Sequence, residues 1–312
     1  MVLRDQYGIN MKKNVITGAR GLVARYVIDV LSNSLDNEIY AISSHKEIIQ
    51  HRYDRKNVSC IDNDQLRTEY KQILANAYII HCAFTRKNDG IEVAKSMDYS
   101  SEVFSLAKEA KAKRIINIST RSIYKEPDAG CLNVENSPIN AGGAISAGKY
   151  GVELLLDAYF KGSMTEYVNL RLASVNELKR DDTMVRPLNV FVQNVIDGKD
   201  IRIIGGSQVM SYIDPRDVAE AIKKIVEASS IKEHTYNLGT GWMCTDTLYN
   251  MACKVIKIGK EFGYINSSII KEDKVIDQRA GLDISRLSGE VNWEPYITLD
   301  IMIKDLFNML KN

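Results

Sequence analysis

A surplus of charge is the first thing this chain does not have. Its 312 residues carry 41 lysines and arginines against 40 aspartates and glutamates, so no net field steers it toward nucleic acid or anionic lipid. No run of 18 apolar residues occurs, which argues against a membrane-spanning helix. The opening residues Met1–Asn10 lack the apolar core of a signal peptide. Met11-Lys12-Lys13 reads as a natural start, so residues 1–11 are expected to be a loose N-terminal extension. Histidine is scarce, with four in all. His45 and His51 are too isolated for a metal cluster, and His81 closes an apolar run, where a satisfied structural histidine is expected; no metal is predicted. The five cysteines (Cys60, Cys82, Cys131, Cys244, Cys253) form an odd set without close pairs. They read as reduced thiols of a cytoplasmic protein, with Cys60 and Cys82 as small buried hydrophobes.

What is present is an alternation of short β-rich apolar runs with longer stretches of helical period. The strand candidates are Asn14–Thr17, Glu38–Ser43, Asn57–Ile61, Ala77–Ala83, Arg114–Ser119 and Tyr167–Leu172. Between them lie helical stretches at Leu22–Ser34, Gln65–Ala75, Val93–Ala112 and Ser146–Phe160. Strands with continuous apolar runs, bridged by helices, predict a parallel α/β sheet covered on both faces. After about residue 173 the rhythm loosens. Helices are predicted at Met184–Gly198, Pro215–Ala228 (with Asp214 as N-cap), Thr245–Ile258 and Leu299–Leu310, and a short strand at Asp200–Ile204.

Three stretches carry chemistry. Val15-Ile16-Thr17-Gly18-Ala19-Arg20-Gly21-Leu22-Val23-Ala24 reads as a strand, a glycine turn and a helix start. Such a turn aims backbone N–H groups and the positive helix end at a pyrophosphate. Ser119-Thr120-Arg121-Ser122-Ile123-Tyr124 is followed, 25 residues past Thr120, by Ile145-Ser146-Ala147-Gly148-Lys149. Together these resemble the extended short-chain dehydrogenase/reductase family, the NAD(P)-dependent nucleotide-sugar epimerases, dehydratases and reductases. Further landmarks are Val209 to Ala219, Asn237-Leu238-Gly239-Thr240-Gly241, and Asp283-Ile284-Ser285-Arg286 through Asn292-Trp293-Glu294-Pro295. The resemblance therefore runs from about residue 12 to the end. It implies a Rossmann-type doubly wound parallel sheet, mainly over residues 12–173, and a smaller C-terminal substrate lobe, mainly over 174–312. It also implies a homodimer through Val93–Ala112 and Ser146–Phe160. The second helix offers Val152, Leu155, Leu156 and Tyr159 at helical spacing; their burial against the chain's own sheet is the alternative.

The resemblance implies a cofactor site made of the Gly18-Arg20-Gly21-Leu22 turn, Ser43, Ile61, Asp62, Ala83 and Lys149. Gly18 permits the tight turn, Gly21 lets backbone approach phosphate, and Ala24 keeps the helix close to the sheet. An NAD site usually places a carboxylate at the end of the second strand, and here Ser43-Ser44-His45-Lys46 follows Ile42. Arg20 is similar to the arginine of NADP-using members and suits a 2′-phosphate. NADP is thus favoured over NAD; the alternative places Arg20 and Lys46 on a solvated face. Asp62 matches the aspartate that meets adenine, or else caps the next helix. Ala83 matches the small residue beside the cofactor, and Phe84 replaces a second one.

For catalysis the resemblance assigns Thr120 to the substrate oxygen and Lys149 to the nicotinamide ribose and to lowering a phenol pKa. The phenol belongs four residues before Lys149, and that position is Ile145, which transfers no proton. Three readings stay open: catalysis lost with cofactor binding kept; another donor, from Ser146, Tyr124, Ser122 or water; or a competent reductase with a sporadic change. Tyr150 points about 100° away round the helix. On the substrate side Ser174 replaces the usual asparagine after Arg171, Met210 stands where an anion-gripping arginine is common, and Arg279 matches a later one. The implied ligand is a nucleoside-diphosphate sugar with a 4-keto group, in saccharide biosynthesis. The alternative is a catalytically impaired cofactor-binding protein acting as regulator or partner.

Overall fold

The computed structural model describes residues 11–176 and 186–311. The chain first alternates strand and helix: β1 (Lys12–Thr17), α1 (Leu22–Ser32), β2 (Asn37–Ile42), α2 (Lys46–Gln50), β3 (Val58–Ile61), α3 (Asn63–Leu74), β4 (Tyr78–His81), α4 (Gly90–Glu109), β5 (Arg114–Thr120), α5 (Ala144–Phe160) and β6 (Glu166–Leu172). There follow β7 (Ser174–Val175), α6 (Pro187–Ile196), β8 (Ile201–Ile204), β9 (Val209–Ile213), α7 (Pro215–Glu227), β10 (Thr235–Leu238), β11 (Thr245–Thr247), α8 (Leu248–Glu261), β12 (Ile269–Glu272), α9 (Ser285–Val291) and α10 (Leu299–Leu310).

The main sheet has seven strands in the order β3-β2-β1-β4-β5-β6-β10, all parallel. Consecutive residues of its inner strands go to opposite faces and both are apolar. Ile16, Ile80 and Ile116 pack with α1 and α7, whereas Val15, Ile79 and Ile115 pack with α3, α4 and α5. That is why these strands read as unbroken apolar runs. The result is the predicted Rossmann-like doubly wound α/β sheet.

A second core joins α6, α8, α10 and β8, with Phe191, Val255, Met302 and Phe307 fully or nearly buried. Around it lie a three-stranded sheet, β11-β9-β7, and a pair, β12-β8. The chain does not divide cleanly near residue 173. Strand β10 pairs with β6, and α7 packs on the first core through Val218, Ile222 and Ile225.

Some expected boundaries move, each for a local reason. The predicted helix Thr245–Ile258 begins instead at Leu248, because Thr245–Thr247 pairs with β9 and the Thr247 hydroxyl caps α8 by accepting from Asn250 N–H at 3.1 Å. Of the predicted helix Met184–Gly198, Met184 and Val185 lie outside the described residues. Its helical part starts at Pro187, whose fixed φ suits a first helical position. Asp214 caps α7 as expected, accepting from Arg216 N–H at 2.9 Å. On α5, Val152 and Leu156 are buried in the protein's own core, so they offer nothing to a second subunit. The exposed apolar side chain on that helix is Leu154, at 55%.

No helix among the described residues is long and apolar enough to cross a membrane. All five cysteines are free. Among the described residues no group of histidine, cysteine or carboxylate side chains is arranged to hold a metal.

Candidate functional site

The carboxyl ends of β1, β4 and β5 meet in the middle of the sheet, where strand order reverses on either side of β1 and β4. Such a switch point opens a crevice between diverging loops. Gly18 leaves β1 with φ +65°, and a Cβ there would lie 2.8 Å from the Ala83 Cα. The turn after β1 thus passes against the end of β4 with no room for a side chain. At Gly21 an added Cβ would meet only the Gly18 carbonyl, at 3.1 Å, so the N-terminus of α1 presents bare backbone to the crevice. This cradle fits a diphosphate.

One hydrogen-bonded chain locks the two strand ends together. The Thr17 hydroxyl accepts from Ala83 N–H at 3.3 Å and lies 2.9 Å from His81 Nδ1, whose Nε2 lies 2.9 Å from Ser100 Oγ. Burial pushes the His81 imidazole down to about 3, so it is neutral. A neutral ring accepting at Nδ1 and donating at Nε2 satisfies every member, since Ser100 then donates to the Ser96 carbonyl at 2.8 Å. His81 is a structural clamp under the crevice, as its sequence setting indicated.

Just past the end of β2, Ser43 is buried and its hydroxyl accepts from His45 N–H at 3.1 Å. Asp62, just after Ile61, does cap α3, accepting from Gln65 N–H at 2.8 Å, and it pairs with Lys46 at 2.5 Å. Lys46 is therefore engaged. Arg20 is exposed and, among the described residues, forms no ion pair.

Lys149 lies on α5 with its Nζ donating to the Ile118 carbonyl at 2.5 Å. The Phe84 ring covers the ammonium, 5.2 Å from centroid to nitrogen. Burial pushes the Lys149 pKa down to about 8 and the neighbouring Cys82 thiol up to about 12. Ile145 sits one turn earlier on the same helix face, half-buried, with its backbone N–H donating to Asn88 Oδ1 at 3.3 Å. Thr120 ends β5, accepts from Ser122 N–H at 3.2 Å, and keeps its own hydroxyl proton to donate.

Two of the alternative proton donors are otherwise occupied. Ser146 is a helix cap, exchanging hydrogen bonds with the Gly143 backbone at 2.9 and 3.0 Å. Tyr124 is buried, donates to Asn237 Oδ1 at 2.8 Å and accepts from Arg171 at 2.8 Å, and burial raises its phenol to about 12. Beneath it Arg171 and Glu153 form a buried ion pair at 2.6 Å, with Ser119 also donating to Glu153. Tyr150 packs toward the opposite core. Ser122 is exposed.

The residues expected to face the substrate are spread along the neighbouring lobe. Ser174 stands beside Tyr212 in the β7–β9 ladder. Arg279 is tied to Asp277 at 2.5 Å and to the Pro127 carbonyl at 3.2 Å. Met210 is partly buried against the second core. The sequence reading passed over Arg121, Arg186, Tyr212 and Asn176; the one linear signal was an arginine directly after Thr120.

Comparisons with known proteins agree with this fold. A curated dTDP-glucose 4,6-dehydratase from an Actinoplanes strain is 25% identical over 185 residues, covering 59% of this chain and 56% of that protein. The match thus spans little more than half of the relative's length. Among solved structures, a UDP-N-acetylglucosamine 4-epimerase from Methanobrevibacter ruminantium superposes with a TM-score of 0.77 at 20% identity, covering 96% of this chain and 97% of that one. A UDP-glucuronic acid 4-epimerase from Bacillus cereus, in complex with UDP-glucuronic acid and NAD, gives 0.76 at 18%, covering 96% and 99%. A UDP-glucose 4-epimerase from Thermotoga maritima gives 0.77 at 18%, covering 96% and 98%. These structures share the fold. The profile of the NAD dependent epimerase/dehydratase family matches residues 14–239, and the chain belongs to that family.

Proposed function

We propose that the protein is an NADP-dependent enzyme acting on the 4-keto group of a nucleoside-diphosphate sugar in saccharide biosynthesis. The observation that carries this reading is the placement of Lys149. Its ammonium is fixed to the Ile118 carbonyl two residues before Thr120, at the strand ends beside the glycine cradle. A bound nicotinamide would supply or receive the hydride. The Gly18–Leu22 turn would hold its diphosphate, Ile61 and Asp62 its adenine, Ala83 its close approach, and Lys149 its ribose. Thr120 would donate a hydrogen bond to the sugar oxygen. In a reduction that oxygen must also gain a proton. With no phenol at position 145, Ser122 or a water beside Thr120 delivers it, and the Lys149 cation stabilises the negative charge that develops. Arg20 and the lack of a carboxylate at Ser43 support NADP over NAD. Ser174 and Arg279 would touch the substrate.

A second reading, a cofactor-binding protein without turnover that regulates or partners an active homologue, draws on Ile145 and on Phe84 packed over Lys149. A screen of NADPH oxidation across 4-keto-6-deoxy nucleotide sugars separates the two. Oxidation with any of them supports the enzyme; tight cofactor binding with none oxidised supports the second reading. A cytoplasmic homodimer through α4 and α5 goes with either, its contact now resting on Leu154, Leu155 and Tyr159. Light scattering that reports a single chain mass at micromolar concentration excludes the dimer.

A further inference from the structure

Phe84 follows Ala83 just past the end of β4, where the family resemblance expects a small side chain. Its ring is half-buried and packs, with Met97 and Leu155, on the core beneath α4 and α5. Helix α5 leaves room for it. A Cβ built at Gly148 would lie 3.1 Å from Phe84 Cζ and 2.3 Å from Val93 Cγ1, and one built at Gly151 would lie 2.7 Å from Met97 Cε. The tip of the ring therefore rests on bare backbone at Gly148. The same ring covers the next residue, its centroid 5.2 Å from Lys149 Nζ. One proton of that ammonium goes to the Ile118 carbonyl at 2.5 Å. The titratable groups that face it are His81 and Cys82 from β4 and Glu153 from α5. His81 is neutral, the Cys82 thiol stays protonated, and Glu153 is held by Arg171 at 2.6 Å. A phenol at position 145 would have been a further partner, because the attraction that lowers a phenol pKa also favours the charged lysine. Ile145 offers none.

An ammonium shut away from water gives up its proton unless something nearby favours the charge. The face of an aromatic ring does so, and most strongly where water is excluded. We propose that Phe84 is a positioning residue, whose ring takes the place of the absent phenol as the partner that keeps Lys149 charged and fixed on the Ile118 carbonyl. Gly148 is the seat that lets the ring reach it. The use of this contact to the cofactor rests on Lys149 as the ribose ligand; the contact itself does not. Apolar cover and aromatic face act with opposite sign on the ammonium. Cover by any apolar side chain disfavours the charge, whereas the ring face supports it. Replacements that keep the first and remove the second tell them apart.

NMR of the cofactor-free protein, grown with carbon-13-labelled lysine, reads the Lys149 titration, its signal assigned by its loss in Lys149→Arg. Burial pushes the midpoint down to about 8 in the unaltered protein. Phe84→Leu keeps the apolar cover and removes the face, so the midpoint is expected to fall further, to about 7. Phe84→Tyr should hold it near the unaltered value. Where Phe84→Leu fails to fold, ring-fluorinated phenylalanines introduced at position 84 keep shape and cover while draining charge from the face, and the midpoint should fall with each added fluorine. A midpoint that stays constant or rises, in Phe84→Leu or across that series, overturns the proposal and leaves the ring as filler. Cofactor titration is the second readout. NADPH should bind Phe84→Leu about fivefold more weakly at pH 8 and within about twofold of the unaltered protein at pH 6. Tighter binding at both pH values overturns the proposal, because the ring would then be obstructing the ribose. If the unaltered protein binds neither NADPH nor NADH, the cofactor reading fails, and the NMR midpoints still judge the ring and its ammonium.

Discussion

The two sides of the crevice are made of different material. The side proposed for the nucleotide is built from backbone: the bare turn at Gly18 and Gly21, the N-terminus of α1, and strand ends clamped through Thr17 and His81. The side proposed for the sugar is built from side chains on separate elements, with Thr120 on β5, Lys149 on α5 and Ser174 on β7. A backbone site survives substitution, because most side chains leave N–H groups where they are. A side-chain site changes with one residue. Set against the family resemblance, the first half keeps its glycines at 18 and 21, and the second departs at position 145 and at Met210.

The largest test of that contrast is to restore the drifted residue. Ile145→Tyr places a phenol one turn before Lys149, on its face of α5. The ammonium favours the phenolate, and the rate on a keto substrate shown to bind is expected to rise by up to about 10²–10⁴-fold. A folded, cofactor-saturated variant with no gain in single-turnover NADPH oxidation would mean that the sugar side performs other chemistry.

Next in size is damage to the backbone half. Gly18→Ala forces a side chain into positive φ against the Ala83 Cα. Strain of about 1–3 kcal/mol is expected, read as a lowered melting temperature and as cofactor affinity weakened about tenfold or more. An unchanged cofactor Kd in this variant would show that the turn is only a structural bend.

Lys149 belongs to both halves, and its titration tells them apart. Its pKa in the folded protein is lowered to about 8, so the ammonium that would hold the ribose is present below that pH and lost as pH rises through it. Cofactor affinity should fall about tenfold between pH 7 and pH 9, and Lys149→Met should flatten the profile. For folding the sign reverses. Between about pH 8 and the ordinary lysine value the unfolded chain binds the extra proton, so this group makes stability rise with pH there. The smallest expected effect is on cofactor choice. Arg20→Ala should remove a preference for NADPH over NADH of about tenfold or less, measured as a ratio of Kd values. Equal affinities in the wild type would refute the NADP reading.

The legible and illegible parts of the sequence divide along the same line. The first six strands and their helices could be read because unbroken apolar runs and helical period are local signals, and α10 was read residue for residue. Strands β7, β10, β11 and β12 are two to four residues long and gain their conformation from partners far away in the chain. Asp62 illustrates the middle case: sequence offered an adenine contact or a cap, the geometry shows the cap, and the adenine contact stays a proposal. The neighbourhood of Tyr212 and Asn176 was hidden because the two come together only through the β7–β9 ladder.

Strand β10 also sets a schedule for the ribosome. The edge of β6 that it covers is finished at Leu172, but its partner is not synthesised until Leu238. At about 5–20 residues per second, the nascent first half waits several seconds with an open edge, a template for pairing with another chain. Shielding of that edge during synthesis is therefore expected to raise the yield of folded protein.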